Sequence, residues 1–323
     1  MREDNIQLGN YLANIYDKKY GVITYSGTLA IETVLKSLNL NVGDKVLISN
    51  NVCYSILNAI LQCKLTPVIV CPENDLVLTA NDILPILKEH DIKAIIVVHQ
   101  YGIVNDVEQI RKIYKDGIII EDVAQAWNIT INSNKAGKYS DYIITSFGTT
   151  KPLSYGIGGA IYSNNNFVKY IDFCDNESRE NENEILPYAY PLCKNIKIDE
   201  LILNANKIIL NQRKISKSIL KLLENQSIIN CYIDNNNDES TWHRFPIWVY
   251  TEKMYFNIIQ ILNEMNVEYQ TLHNTELKDL NLANRSIVID NRKETKYFIL
   301  IRTRNVSKSI VEIAIKKIIH KLL

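Results

Sequence analysis

The segment Lys93–Val98 constrains the fold more than any other stretch of this chain. After its lysine it holds only Ala, Ile and Val, with no polar residue at alternate positions. A strand with one wet face reads as an alternation, so this one is buried on both faces. Shorter runs repeat the theme at Gly21–Tyr25, Lys45–Ser49, Pro67–Cys71, Gly117–Glu121, Tyr142–Ser146 and Ala160–Tyr162. Helical periods separate them at Thr28–Leu40, Tyr54–Cys63, Asn81–His90 and Val107–Tyr114. Strands spaced by helices of this length predict an α/β fold, a mostly parallel mixed sheet flanked by helices.

Beyond residue 165 the pattern changes. Asp175–Glu184 is acidic and asparagine-rich, has no apolar period, and reads as an exposed loop. A long helix over Ile198–Leu223 follows. Then come a strand at Trp242–Tyr250, a helix at Glu252–Met265, a strand at Tyr297–Ile301 and a helix at Val306–Leu323. The order predicts a large α/β domain over residues 1–180 and a smaller α+β domain over 181–323. Trp242, Phe245 and Trp248 recur at every third residue, which breaks strand alternation, and Pro246 points to an edge or a bulge. All three aromatics read as core. His243, Arg244, His273, Arg302 and Arg304 are open between a structural role and substrate contact.

Composition excludes several function classes. The 323 residues carry 36 basic and 36 acidic side chains, so the formal net charge is zero. No excess of one sign marks a nucleic-acid or membrane surface. No run reaches the roughly 18–20 apolar residues of a membrane span. The charged start, Met1-Arg2-Glu3-Asp4, leads into no apolar run and so predicts no signal peptide. The cysteines form no Cys-x-x-Cys pair, and the histidines have no metal-like spacing. The expectation is a reduced, cytoplasmic, metal-free protein.

Three segments carry chemistry. Ser26-Gly27-Thr28 follows a strand and opens a helix, where free N–H groups and the helix dipole suit a phosphate. The same residues also suit an ordinary helix cap. Asp122 lies just past the apolar run Gly117–Ile120, at the carboxyl end of a strand where ligands of open α/β sheets collect. There a carboxylate can keep a pyridine nitrogen protonated. Glu121 is the competing acid, and strand alternation sends the two to opposite faces. Lys151 follows the core strand Tyr142–Ser146 and the segment Phe147-Gly148-Thr149-Thr150. Four of the chain's eleven glycines fall between Gly148 and Gly159, as backbone packed close to a ligand requires. A lysine of lowered pKa in such a place can attack a carbonyl.

In this order the segments resemble a known family. Tyr25–Ala30, Val98–Gly102, Glu121–Ala126, Ser146–Lys151 and Gly158–Ala160 look like the matching stretches of the DegT-type sugar aminotransferases, fold-type I enzymes of pyridoxal 5'-phosphate (PLP). The resemblance covers residues 8–165 well and the remainder in outline. It implies that Lys151 holds PLP covalently and that Asp122 pairs with the pyridine nitrogen. It places Gln125 near the ring hydroxyl, and Ser26, Gly27, Thr28 and Ser146 around the phosphate. Cys53, with Tyr54 beside it, stands where the family has an aromatic over the ring. The implied reaction moves an amino group from glutamate to a keto-sugar, nucleotide-linked in the family's usual manner, for surface polysaccharide or glycoconjugate biosynthesis, in a homodimer.

The chain departs from the family pattern at several points. Ile157 replaces an acid between the glycines. Trp127 replaces a small residue or histidine. The segment near Pro191–Asn195 lacks the family's Asn-Tyr-Arg. These departures keep two alternatives open: another PLP reaction on a small substrate, and an inactive PLP-fold binding protein. A nicotinamide-binding Rossmann protein would need Gly-x-Gly-x-x-Gly after the first strand, and the chain has none there.

Overall fold

The computed structural model describes residues 2–167, 197–234, 239–272, 285–294 and 296–323. The expected loop at Asp175–Glu184, the division at 180/181, the segment Pro191–Asn195 and His273 lie outside the described residues. The first part of the chain runs α1 (Arg2–Ile15), β1 (Tyr20–Thr24), α2 (Gly27–Ser37), β2 (Lys45–Ser49), α3 (Tyr54–Gln62), β3 (Thr66–Cys71), α4 (Ala80–Glu89), β4 (Ile92–Val98), α5 (Val107–Ile113) and β5 (Ile118–Asp122). A small hairpin of β6 (Thr130–Ile131) and β7 (Asn134–Lys135) follows, then β8 (Tyr142–Ser146) and β9 (Gly159–Ser163). The second part holds α6 (Ile198–Leu223), β10 (Asn230–Cys231), β11 (Arg244–Val249), α7 (Glu252–Glu264), β12 (Tyr269–Thr271), β13 (Ile287–Asp290), β14 (Tyr297–Arg302) and α8 (Lys308–Leu322).

Eight strands form the main sheet in the order β1-β9-β8-β5-β4-β2-β3-β13. The pairs from β8 to β13 are parallel, while β9 runs antiparallel to both neighbours. The mixed, mostly parallel sheet is as expected. Its apolar runs are continuous because neighbouring residues go to opposite sides. Ile95, Ile119 and Ile143 pack with α1, α4 and α5, whereas Ile96, Ile120 and Ile144 pack with α2 and α3. Each buried isoleucine contributes roughly 2 kcal/mol. A slip of one residue would swap every one of these side chains to the wrong side.

Helix α1 was not legible from periodicity. It lies along the edge strand β1. The Asn5 side-chain amide donates to Ile23 O at 2.9 Å and its oxygen accepts from Ile23 N at 3.0 Å, while Asn10 Oδ1 accepts from Gly21 N at 2.8 Å. These amides occupy backbone groups that an edge would otherwise expose. At the other border, β13 returns from the second part of the chain to pair in parallel with β3.

The smaller sheet is antiparallel, in the order β10-β11-β14-β12. One face packs Phe245, Ile247, Val249, Ile299 and Ile301 against α6, α7 and α8. The other turns toward the first part of the chain, where Phe298 and Leu300, with Trp248 beside them, meet Leu76, Val77, Tyr101 and Ile103. The register from Arg244↔Arg302 to Val249↔Tyr297 is unbroken, so Pro246 marks no bulge. It sits opposite Leu300, past the end of the two-residue β10. The every-third spacing of the aromatics has a simple cause. Trp242 precedes the strand and adopts a left-handed backbone with φ of 56°, which brings it into the same core as Phe245.

Candidate active site

Strands β1, β2, β4, β5 and β8 run in one direction, so the segments after them gather at one edge of the sheet. That edge is where ligands of open α/β sheets bind. It collects Ser26–Thr28, Cys53 and Tyr54, His99–Gly102, Asp122–Gln125, and Ser146–Lys151.

Ser26 is the N-cap of α2, with extended backbone (φ −157°, ψ 164°), and its Oγ accepts from Leu29 N. The cap reading therefore holds, and the hydroxyl proton remains free to donate. The helix begins at Gly27, so the N–H groups of its first turn have no intrahelical partner. Gly27 packs directly on Ser146: a Cβ added there would lie 3.1 Å from Ser146 Cβ and 3.5 Å from Thr145 O. Ser26 also bridges to Gly158. Three sequence-distant segments thus close into one cup.

The two candidate acids separate as alternation requires. Glu121 is fully buried and fully engaged. Its Oε1 lies 3.0 Å from His99 Nε2, and its Oε2 accepts from Gly137 N at 2.8 Å. His99 Nδ1 accepts from Asn105 N at 3.0 Å, which leaves the ring proton on Nε2 to donate to Glu121. Asp122 shares its face with Ile120, and so with α2 and α3. Its Oδ1 accepts from Ala124 N at 2.8 Å, and its other oxygen has no hydrogen bond among the described residues. Burial raises the Asp122 pKa, against smaller opposing effects of the Ala124 N–H, Lys151 and His99. The lysine's charge thus lies within reach of this carboxylate.

Lys151 sits in a loop closed by backbone bonds. Phe147 N donates to Gly158 O, and Phe147 O accepts from both Tyr155 N and Gly156 N. Gly156 and Gly158 hold φ of 99° and 109°, a region closed to most side chains, which accounts for the glycine cluster around the lysine. The Lys151 side chain is half-buried, and its amine makes no hydrogen bond or ion pair among the described residues. Its carbonyl oxygen accepts from Arg304 Nη1 at 2.5 Å.

Gln125 is placed at the junction with the smaller sheet. Its Oε1 accepts from Tyr101 N at 3.1 Å and its Nε2 donates to Gln100 Oε1 at 2.8 Å. Its backbone oxygen accepts from Thr241 Oγ1 at 2.8 Å. Tyr101 is buried with φ of 59°, a strained left-handed backbone for a non-glycine residue. Cys53 precedes α3 as its N-cap without accepting a backbone N–H, its Sγ accepts from Ser55 Oγ at 3.1 Å, and both Cys53 and Tyr54 are exposed. Trp127 lies in the core, edge-on to Tyr16 at 5.4 Å, rather than at the site.

From the sequence, His243 and Arg304 stay open between a structural role and substrate contact. His243 is buried, its Nδ1 lacks a partner, and its pKa is pushed down to about 3 by burial and then by Lys151, Arg244, Arg304 and Arg302. Its nearness to Lys151 bridges nearly a hundred positions, and no local pattern encodes it.

The arrangement can hold a phosphorylated, ring-bearing aldehyde. A helix N-terminus with hydroxyls takes the phosphate, an under-bonded buried carboxylate takes a ring N–H, and a free amine takes the carbonyl. Residues 3–287 match the profile of the DegT/DnrJ/EryC1/StrS aminotransferase family. A GDP-perosamine synthase of Vibrio cholerae is 29% identical over 159 residues, 48% of this chain and 42% of that protein. A 3-oxo-glucose-6-phosphate:glutamate aminotransferase of Bacillus subtilis is 30% identical over 279 residues, 80% of this chain and 60% of the relative. The matched chain thus spans less than two thirds of either relative's length. A solved DegT DnrJ EryC1 StrS aminotransferase from Brucella abortus has the same fold, with a TM-score of 0.82 at 16% identity over 98% of this chain and 89% of that one. With its profile match running almost from end to end, this chain belongs to the DegT/DnrJ/EryC1/StrS aminotransferase family.

Proposed function

We propose that the protein is a PLP-dependent aminotransferase that moves an amino group from glutamate to a keto-sugar linked to a nucleotide or a phosphate. The observation that carries this reading is the meeting of three groups at one sheet edge: the unpaired Lys151 amine, the under-bonded Asp122 carboxylate and the Gly27–Ser146 cup. When bound, PLP supplies an aldehyde for the amine and a ring that draws electrons from the substrate's reacting carbon. Gly27 and Thr28 hold its phosphate through N–H groups, with the Ser26, Thr28 and Ser146 hydroxyls as further donors. Asp122 keeps the ring nitrogen protonated, and a cation there relieves the penalty that burial puts on the ionised acid. Cys53 and Tyr54, at the start of α3, would lie beside the ring. Gln125 steadies the ring hydroxyl side.

Lys151 has two tasks. It would hold the cofactor at rest, and its Nζ, freed when the amino donor takes its place, would carry the proton from the donor's α-carbon to the cofactor's former aldehyde carbon. Positioned proton transfer of this kind supplies about 10²–10⁴ in rate. The second half of the reaction repeats these steps in reverse on the keto-sugar. Support for the substrates comes from the relatives, one named for GDP-perosamine and one for a phosphorylated oxo-glucose and glutamate. In this reading the protein works as a homodimer in the cytoplasm and feeds the making of surface polysaccharide or glycoconjugate.

Borohydride reduction of the PLP-loaded protein, followed by peptide mapping, tests it. The tag is expected on Lys151, and Lys151→Ala should lose both the visible cofactor absorbance and turnover. A tag on another amine, or glutamate-dependent turnover surviving in Lys151→Ala, would overturn the reading.

A further inference from the structure

The turn between β4 and α5 is strained, and the strain serves one side chain. His99 anchors the turn's first end. Its backbone N–H donates to Asp122 O at 3.1 Å, and its buried ring bridges Glu121 and Asn105 N. Gly102 anchors the other end, where its carbonyl accepts from Thr241 N at 2.8 Å. A Cβ on Gly102 would lie 2.0 Å from Thr241 Oγ1, so the fit there is close. Between these anchors Tyr101 holds φ of 59°, a backbone that a non-glycine residue keeps only where its surroundings impose it. The result is the direction of one donor: the Tyr101 N–H points at Gln125 Oε1, 3.1 Å away.

That contact settles the orientation of two amides. A backbone N–H can only donate, so the Gln125 atom facing it is the oxygen. The Gln125 nitrogen is then the atom 2.8 Å from the Gln100 carboxamide. An amide NH2 group can only donate, so Gln100 presents its oxygen in turn. Gln100 is buried, at the head of the same anchored turn. The Gln125 side chain thus has its oxygen engaged by Tyr101 and one of its two N–H groups held by Gln100. Its second N–H has no acceptor among the described residues. The clamp leaves Gln125 with a spare donor of fixed orientation, three residues past Asp122 at the edge of the sheet.

We propose that Gln100 is a positioning residue, which holds the Gln125 carboxamide so that its spare N–H meets the ring hydroxyl oxygen of PLP. The place of Gln125 beside that oxygen rests on the aminotransferase reading. A donor there draws charge from the oxygen and weakens its hold on the proton of the Lys151 nitrogen bonded to the cofactor. That proton then leaves at lower pH. The readout is the midpoint of the pH-dependent change in the cofactor's visible absorbance, measured on PLP-loaded protein without substrate. Gln125→Met should raise the midpoint by about one unit, the effect of losing one hydrogen bond to a charged oxygen. Gln100→Met should raise it by about half as much. In the double variant the midpoint should equal that of Gln125→Met alone, because Gln100 acts only through Gln125. The proposal falls if Gln100→Met stays within about 0.1 unit of the unmodified protein, or if the unmodified protein has no midpoint below about pH 10. It falls equally if the two shifts add in the double variant. Gln100→Leu takes the place of Gln100→Met should the latter not fold, and if neither folds, Gln100 is structural and the proposal is overturned. A failure of the aminotransferase reading shows separately, as an unmodified protein that takes up no PLP and develops no visible band.

Discussion

Glu121 and Asp122 are adjacent buried acids on one strand, and the two faces of the sheet treat them oppositely. On the α4–α5 face, Glu121 is held by His99 and Gly137 and has no spare acceptor directed at a ligand. On the α2–α3 face, Asp122 has one backbone bond and one oxygen left over. Burial alone therefore does not mark a reactive acid. What separates a structural carboxylate from a poised one is whether its hydrogen-bonding capacity is spent inside the protein. The sequence Glu-Asp presents both, and only the pleat decides which goes where.

Substitutions can break this contrast. The largest effect is expected from Asp122→Asn, which should lower turnover roughly 10²–10³-fold, the usual cost of removing one well-placed electrostatic partner. It should leave the apoprotein at least as stable as before. The sign follows from the raised pKa. Ionised Asp122 is penalised in the fold, so its stabilising contribution is full below the usual carboxylate range near pH 4 and is lost as pH rises through the raised value. The advantage of Asp122→Asn in apoprotein melting should thus grow from pH 4 toward neutrality. Next, Glu121→Ala should cost about 3 kcal/mol in urea unfolding, because two buried donors lose their acceptor. Equal stability losses in the two variants would erase the contrast.

A smaller effect sharpens it. His243 is a third buried group with an unpaired atom, and its pKa is lowered to about 3. A depressed histidine stabilises the fold above its ordinary value near 6.5, and that contribution is lost as pH falls toward 3. His243→Gln should therefore flatten the acid sensitivity of melting, by about 2 kcal/mol at pH 5. An unchanged profile between pH 7 and 4 would mean that the ring is solvated or paired.

Much of the sheet was legible because its strands are buried on both faces, and such runs stand out without any partner. Lys93–Val98 and Tyr142–Ser146 are cases in point. The cup and the lysine loop were legible for a related reason: capping hydroxyls and glycines at positive φ leave local marks. Helix α1 left none, since it is held by Asn5 and Asn10 side chains to the backbone of β1, and asparagine there looks like any surface residue. Strand β13 reads as a short apolar run, and nothing nearby says which of two sheets it joins. Arg304 and His243 were seen but not placed, because contact with Lys151 is made by folding across the molecule.

The return of β13 to the border of the main sheet governs how this protein can be divided. The strand that closes the cofactor half at β3 is encoded after three strands and two helices of the smaller half. A fragment stopped ahead of Ile287 would leave Val68 and Val70 on an open rim, inviting chains to stack there. Dissection is better attempted by grafting Ile287–Asp290 back onto the fragment than by trimming the tail.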